Sequence, residues 1–287
     1  VRGGACPLTP APRISATAIR WFARYNRRYL AKHFSRVTVA GLERAVSIVG
    51  ADERARRAPL IVYLTHAAWW DPLIGVLLAT GPFADRHHRA VIDARSLERY
   101  ALLARLGFVG LDREGPAGAR SMLRLVDTLS TVDRATLWLT PQGRFTDPRV
   151  RPVVLAGGLA HIAKRLPHAH FLPMAIEYPM AGERLPEARV RFGEPEIVSS
   201  LLPGDAAALS KRSTGALQGL TEHFAVRLAD VADRLADDVM HDSDDDHVTL
   251  LDGAHGVGAW YDVGRRLRAR VTGREFDKRH GGNLRTR

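Results

Sequence analysis

The most apolar stretch of the chain, residues 59–84, carries His66 and Asp71 near its middle, with Pro72 directly after. Its length invites a membrane-spanning helix. A charged side chain at a bilayer centre costs about 2.5–3.5 kcal/mol even on a lenient insertion scale, and proline ends the preceding segment. A buried strand over 60–64, a turn carrying His66, and a new helix capped by Asp71 with Pro72 in its first turn place the same residues at lower cost. The chain is thereby constrained to a strand–turn–helix unit.

Further alternation extends the unit. Strand patterns at 37–42, 89–93, 108–112, 136–139, 170–176 and 189–192 are interleaved with helical ones at 96–106, 117–130, 157–165 and 209–239. Strands alternating with helices at these intervals predict an α/β fold with a mixed, largely parallel sheet flanked by helices. At 14–34, Ala18, Ile19, Phe22, Tyr25 and Tyr29 fall on one side of a helix and Arg20, Arg24, Arg27 and Arg28 on the other. This is the pattern of an amphipathic helix lying on a membrane or docking its apolar side on a core. The expected organisation is a flexible leader at 1–13, this helix at 14–34, an enzymatic domain at 35–240, and an acidic linker with a basic tail at 241–287. The segment 14–34 lacks the apolar run of a secretory signal, so a cytoplasmic-side protein is expected.

Composition narrows the chemistry. The single cysteine, Cys6, excludes a disulfide framework or a thiolate-ligated metal within one chain. Gly-x-Ser-x-Gly, Gly-x-x-x-x-Gly-Lys-Ser/Thr and Gly-x-Gly-x-x-Gly are all missing, so a serine elbow, a phosphate loop and a dinucleotide fingerprint have no support. His241, His247 and His255 beside the acidic run 242–246 read as a solvated linker rather than a metal site. No cofactor and no metal are expected. The net charge of +11, nearly all arginine, favours anionic partners. Basic and aromatic residues are not interleaved on strands, so nucleic acid is not among them.

His-x-x-x-x-Asp occurs at His66…Asp71, His88…Asp93, His241…Asp246 and His247…Asp252. Spacing alone therefore selects nothing. Only His66 follows a strongly apolar strand and precedes a helix start, the strand-end position where α/β sheets place reactive groups. Residues five apart on a helix diverge by about 140°, so the pair meets only across a turn. There the carboxylate would hold one imidazole nitrogen and leave the other as a base. The alternative leaves Asp71 as a helix cap and His66 as a loop histidine. Two further strand ends carry arginine: Asp112-Arg113, and Pro141-Gln142-Gly143-Arg144. In a parallel sheet both guanidinium groups would emerge at the edge occupied by His66, as a site for an anionic acceptor that loses a proton.

In this order the blocks 65–71, 110–113, 141–144 and 172–176 resemble the glycerolipid acyltransferase family that includes the 1-acylglycerol-3-phosphate acyltransferases. The resemblance covers about 66–176. It implies His66 as general base on an acceptor hydroxyl and Asp71 as its orienting partner. Arg113 and Arg144 would contact the acceptor's phosphate, with Gln142 and Gly143 shaping the turn. The acyl donor would be acyl-CoA or acyl-carrier protein as co-substrate. The implied partners are a lipid acceptor such as a lysophospholipid and a membrane surface, at the cytoplasmic face of the cell membrane. Gln142 stands where the family has glutamate, the family's threonine is missing, and no basic residue precedes the helix at 157–165. The pair Trp69-Trp70 and the Pro-Gln-Gly-Arg variant resemble the branch linked to carotenoid and isoprenoid-lipid pathways, which implies a glycosylated lipid as an alternative acceptor. An ester or thioester hydrolase and a non-catalytic anion- or membrane-binding protein are the remaining readings.

Overall fold

The computed structural model describes residues 14–49, 52–112, 116–180, 182–201 and 214–255. The leader 1–13, Arg113, residues 209–213 of the last expected helix and the tail from 256 lie outside the described residues. In chain order the elements are α1 (Ala16–His33), β1 (Arg36–Ala40), α2 (Leu42–Val49), α3 (Glu53–Arg57), β2 (Leu60–Leu64), α4 (Asp71–Ala79), β3 (His87–Asp93), α5 (Ala94–Arg99), α6 (Ala101–Arg105), β4 (Phe108–Leu111), α7 (Pro116–Thr131), β5 (Ala135–Leu139), α8 (Gly158–Arg165), β6 (His170–Glu177), β7 (Glu187–Phe192), β8 (Glu196–Ile197), α9 (Val198–Leu201), α10 (Thr214–Met240) and β9 (His247–Asp252).

The strands form one mixed sheet in the order β4-β3-β5-β2-β6-β7-β1-β9, with β8 paired to the start of β6. From β4 to β6 all neighbours are parallel, whereas β6 with β7 and β1 with β9 are antiparallel. Every residue of β2, β5 and β6 is buried, as expected for strands covered on both faces. One face packs Ile61, Tyr63, Leu137 and Phe171 against α7, α8 and the Leu220, Phe224, Leu228 stripe of α10. The other packs Leu60, Val62 and Leu172 against Leu30 and Phe34 at the end of α1 and Ile74, Leu77 and Leu78 of α4.

α1 starts at Ser15, whose hydroxyl accepts from the Ala18 N–H, and whose own N–H donates to the Arg105 carbonyl. The helix crosses α4, where the Asn26 side chain donates to the Leu73 carbonyl at 2.8 Å. Asn26 and Leu30 are buried, while Trp21 is 57% and Tyr25 48% exposed. No helix among the described residues is long and apolar enough to cross a membrane.

The structure departs from the sequence reading in four places. The helix expected over 96–106 is two short ones, broken where Tyr100 takes φ −123° and ψ 67°. The chain also forms α2, α3, β8 and α9, none of which was expected. Asp71 is the first residue of α4 rather than its cap: Trp70 occupies the cap position and makes no side-chain capping bond. Finally, the acidic run, whose aspartates are exposed, leads into β9, an edge strand on β1 where no element was expected. Its carboxylates meet arginines of the sheet: Arg189, 2% exposed, donates to Asp242 at 2.7 Å and Glu187 at 3.0 Å, and Arg36 pairs with Asp244 at 2.9 Å. Guanidinium groups buried in the sheet need such partners.

Candidate active site

β2 ends at Leu64, and the next two residues are fixed by neighbouring chain. The Thr65 N–H donates to the Met174 carbonyl and its Oγ1 accepts from the Ile176 N–H, both at 3.1 Å, prolonging the contact with β6. From the other side the loop after β5 holds His66 twice. The His66 N–H donates to Gln142 Oε1 at 2.8 Å, and the His66 carbonyl accepts from the Thr146 N–H at 2.9 Å. Gly143 makes this loop possible, since its φ of 69° lies in the left-handed region that a side chain disfavours.

Across the turn, His66 Nδ1 lies 2.8 Å from Asp71 Oδ2. Asp71 is 2% exposed and accepts from three groups: the imidazole, the Ala68 N–H at 3.2 Å to both oxygens, and the Tyr178 hydroxyl at 2.7 Å to Oδ1. Those bonds replace the water that a buried carboxylate loses. A carboxylate facing Nδ1 fixes the tautomer with the proton on Nδ1, so Nε2 carries a free lone pair. The His66 side chain remains 17% exposed. Burial and the adjacent Asp71 charge both push the Tyr178 hydroxyl well above the ordinary tyrosine range, so it stays a donor.

His66, Asp71, Gly143 and Phe145 line a cavity of about 2450 Å³. Its walls are mostly apolar, with Ile19 and Phe22 from α1, Val76 from α4, Leu103 from α6 and Leu159 from α8. The Phe145 ring sits 4.2 Å from the His66 ring, centroid to centroid, and is 60% exposed; Trp69, on the His66–Asp71 turn, is 56% exposed. The geometry supplies an imidazole braced by a carboxylate at the wall of a mostly apolar cavity.

The other expected residues fall out differently. Gln142 points its amide oxygen at the His66 backbone, a positioning contact. Arg144 is exposed, and among the described residues its side chain makes no hydrogen bond or ion pair; the cavity wall passes from Gly143 to Phe145 without it. Arg113 lies outside the described residues, although its neighbour Asp112 reaches the cavity. Cations that do line the cavity are Arg20 and Arg24 of α1, Arg86 just before β3, Arg89 of β3, and Lys164 and Arg165 at the end of α8. Arg86 is a structural cation: it donates to Thr136 Oγ1 at 2.7 Å and to the carbonyls of Arg56, Ala58 and Ala135, and burial pulls it down to about 10.

The three competing His-x-x-x-x-Asp pairs are engaged elsewhere. His88 Nδ1 accepts from the Trp138 indole N–H at 3.1 Å, so its Nε2–H donates to the Phe83 carbonyl at 2.8 Å, while burial lowers it to about 4. Asp93 caps α5 through Ser96. Asp246 pairs with Arg44 and Asp252 with His255. No group of three or more His, Cys, Asp or Glu suited to a metal ion is present among the described residues.

Tyr178 escaped the sequence reading. It touches Asp71 from 107 positions away, and only its place two residues past the 172–176 block signals it. No protein-family model matches the chain, and no curated protein is significantly similar to it.

Proposed function

We propose that this protein is an O-acyltransferase that moves a fatty acyl group from acyl-CoA or acyl-carrier protein to a hydroxyl of a lysophospholipid or related lipid, in the manner of 1-acylglycerol-3-phosphate acyltransferases. The observation that carries the reading is the 2.8 Å His66–Asp71 pair on the wall of a large apolar cavity. Nε2 takes the proton of the acceptor hydroxyl as its oxygen attacks the thioester carbonyl; the C–S bond then breaks, and the leaving thiolate takes that proton back from the imidazolium. Asp71 offsets the positive charge that His66 carries in between. No acyl-enzyme forms. The resemblance of the sequence blocks assigns the acceptor's phosphate to Arg113 and Arg144.

A lipid acceptor implies a peripheral protein at the cytoplasmic face of the membrane, with the arginines of α1 toward anionic headgroups. The experiment is to supply radiolabelled acyl-CoA with vesicles containing lysophosphatidate, or a glycosylated isoprenoid alcohol, and to separate the products. Labelled diacyl or acylated lipid is the expected outcome. Free fatty acid alone, with or without acceptor, would make the protein a hydrolase, and unconsumed thioester would leave only binding.

A further inference from the structure

We infer that Tyr178 is a positioning residue that sets the basicity of His66 through Asp71, by holding a hydrogen bond on the oxygen that the imidazole does not use. This inference rests on the dyad proposed above and adds to it a part from β6's end, outside all the motif blocks.

A carboxylate accepts hydrogen bonds through two oxygens. Asp71 Oδ2 faces the imidazole at 2.8 Å and Oδ1 faces the Tyr178 hydroxyl at 2.7 Å, while the Ala68 N–H straddles both. A short bond from a neutral phenol to a buried anion withdraws charge from that anion. It makes the carboxylate a weaker partner for an imidazolium than it would be with Oδ1 bare. Tyr178 thereby weakens the hold of Asp71 on a protonated His66 ring.

The phenol is held in place by packing. Phe34, at the end of α1, lies 5.8 Å from the Tyr178 ring and 4.9 Å, edge-on, from the Trp70 ring next to Asp71. The other titratable groups nearby do not compete for the carboxylate. Glu177 pairs with Arg149 at 2.7 Å, and the His33 ring on α1 lies tilted against Tyr29 and Trp70. Arg144, on the loop facing His66, is exposed without a partner among the described residues. Burial keeps Tyr178 protonated through the working range, so its donor is always present.

Tyr178→Phe deletes one oxygen and keeps the ring. The first readout needs no turnover: the imidazole of His66, labelled with ¹⁵N, is titrated by NMR in the full-length protein. The inference expects the His66 midpoint to rise by about 0.5–1 pH unit in the variant. Replacing Tyr178 with 3-fluorotyrosine, a stronger donor, should move it down. In the transfer assay, the acid limb of the pH profile should shift upward with Tyr178→Phe while activity at high pH is largely retained. A His66 midpoint unmoved in both variants would overturn the inference. Shifts of the expected signs in a protein that transfers no acyl group would instead sustain this coupling and sink the proposed reaction. Equal loss of activity at every pH with an unshifted midpoint would mean that Tyr178 serves only packing.

Discussion

Asp71→Asn alters one atom of the site and should stop its chemistry. In the wild-type protein the carboxylate accepts from His66 Nδ1 at 2.8 Å, from Tyr178 at 2.7 Å and from Ala68 at 3.2 Å. An asparagine that keeps its oxygen toward Tyr178 turns its NH₂ toward Nδ1, which must then accept. The proton moves to Nε2, and the base loses its lone pair on the cavity side. If the amide flips, the tautomer survives but no negative charge remains to stabilise the imidazolium. Both routes predict a fall in kcat of about 10²–10⁴, the range for losing a general base or its orienter. At 1.36 kcal/mol per decade this is about 3–5 kcal/mol in the barrier. The swap is isosteric, keeps one acceptor oxygen and removes a buried charge along with its bonds, so folding should lose about one charged bond, about 1.5–3 kcal/mol net. The assay is formation of labelled acyl lipid at saturating acceptor, with a thermal melt alongside. Activity reduced less than tenfold in a normally folded variant would refute the reasoning.

Three further outcomes follow from particular contacts. Gln142→Ala leaves the His66 N–H without its acceptor, so stability should fall by about 1–3 kcal/mol and kcat should drop with it, whereas Gln142→Glu, which still offers an oxygen, should retain most activity; denaturant titration and the transfer assay check both. His88 sits in the fold at about 4 against 6.5 for a free histidine, so the unfolded chain binds the proton more readily. The stability due to neutral His88 is complete above about 6.5 and is lost as pH falls toward 4, by about 3 kcal/mol at most. His88→Gln, which can donate to Phe83 and accept from Trp138, should flatten that acid limb in urea titrations. On α1, the double change Trp21→Ala and Tyr25→Ala removes exposed rings. It should cut partitioning onto anionic vesicles about tenfold or more, while moving stability by no more than about 1 kcal/mol. Unchanged partitioning would show that α1 does not meet the bilayer.

Much of the sheet was legible because burial on both faces writes itself as short apolar runs: Leu60–Leu64 and the strands around 136–139 and 170–176 stand in the fold as read, each within a residue or two. β9 was hidden because an edge strand need bury little; of its residues only Leu251 is buried, and the acidic run before it looked like solvent-facing linker. Those exposed charges also pair with Arg36, Arg44 and Arg189 of distant elements, which no local pattern reveals. The His66–Asp71 turn was visible as a strand end meeting a helix start. Its supports were not: Gln142 read as part of an anion-binding turn, and Tyr178 carried no pattern at all, since both act by reaching across the sheet edge. The repeated spacing at His88 and Asp93 illustrates the converse, a motif whose members the fold assigns to Trp138, Phe83 and a helix cap.

The measurement closest to the central claim is the yield of labelled acyl lipid from His66→Ala beside the wild type, with acyl-CoA as donor and vesicle-borne lysophosphatidate as acceptor. The expected result is abundant acylated lipid from the wild type and about a hundredfold to ten-thousandfold less from the variant, with both proteins equally folded. A loss smaller than fivefold, or a wild-type protein that forms no acyl lipid from any hydroxyl-bearing lipid offered, would contradict the account.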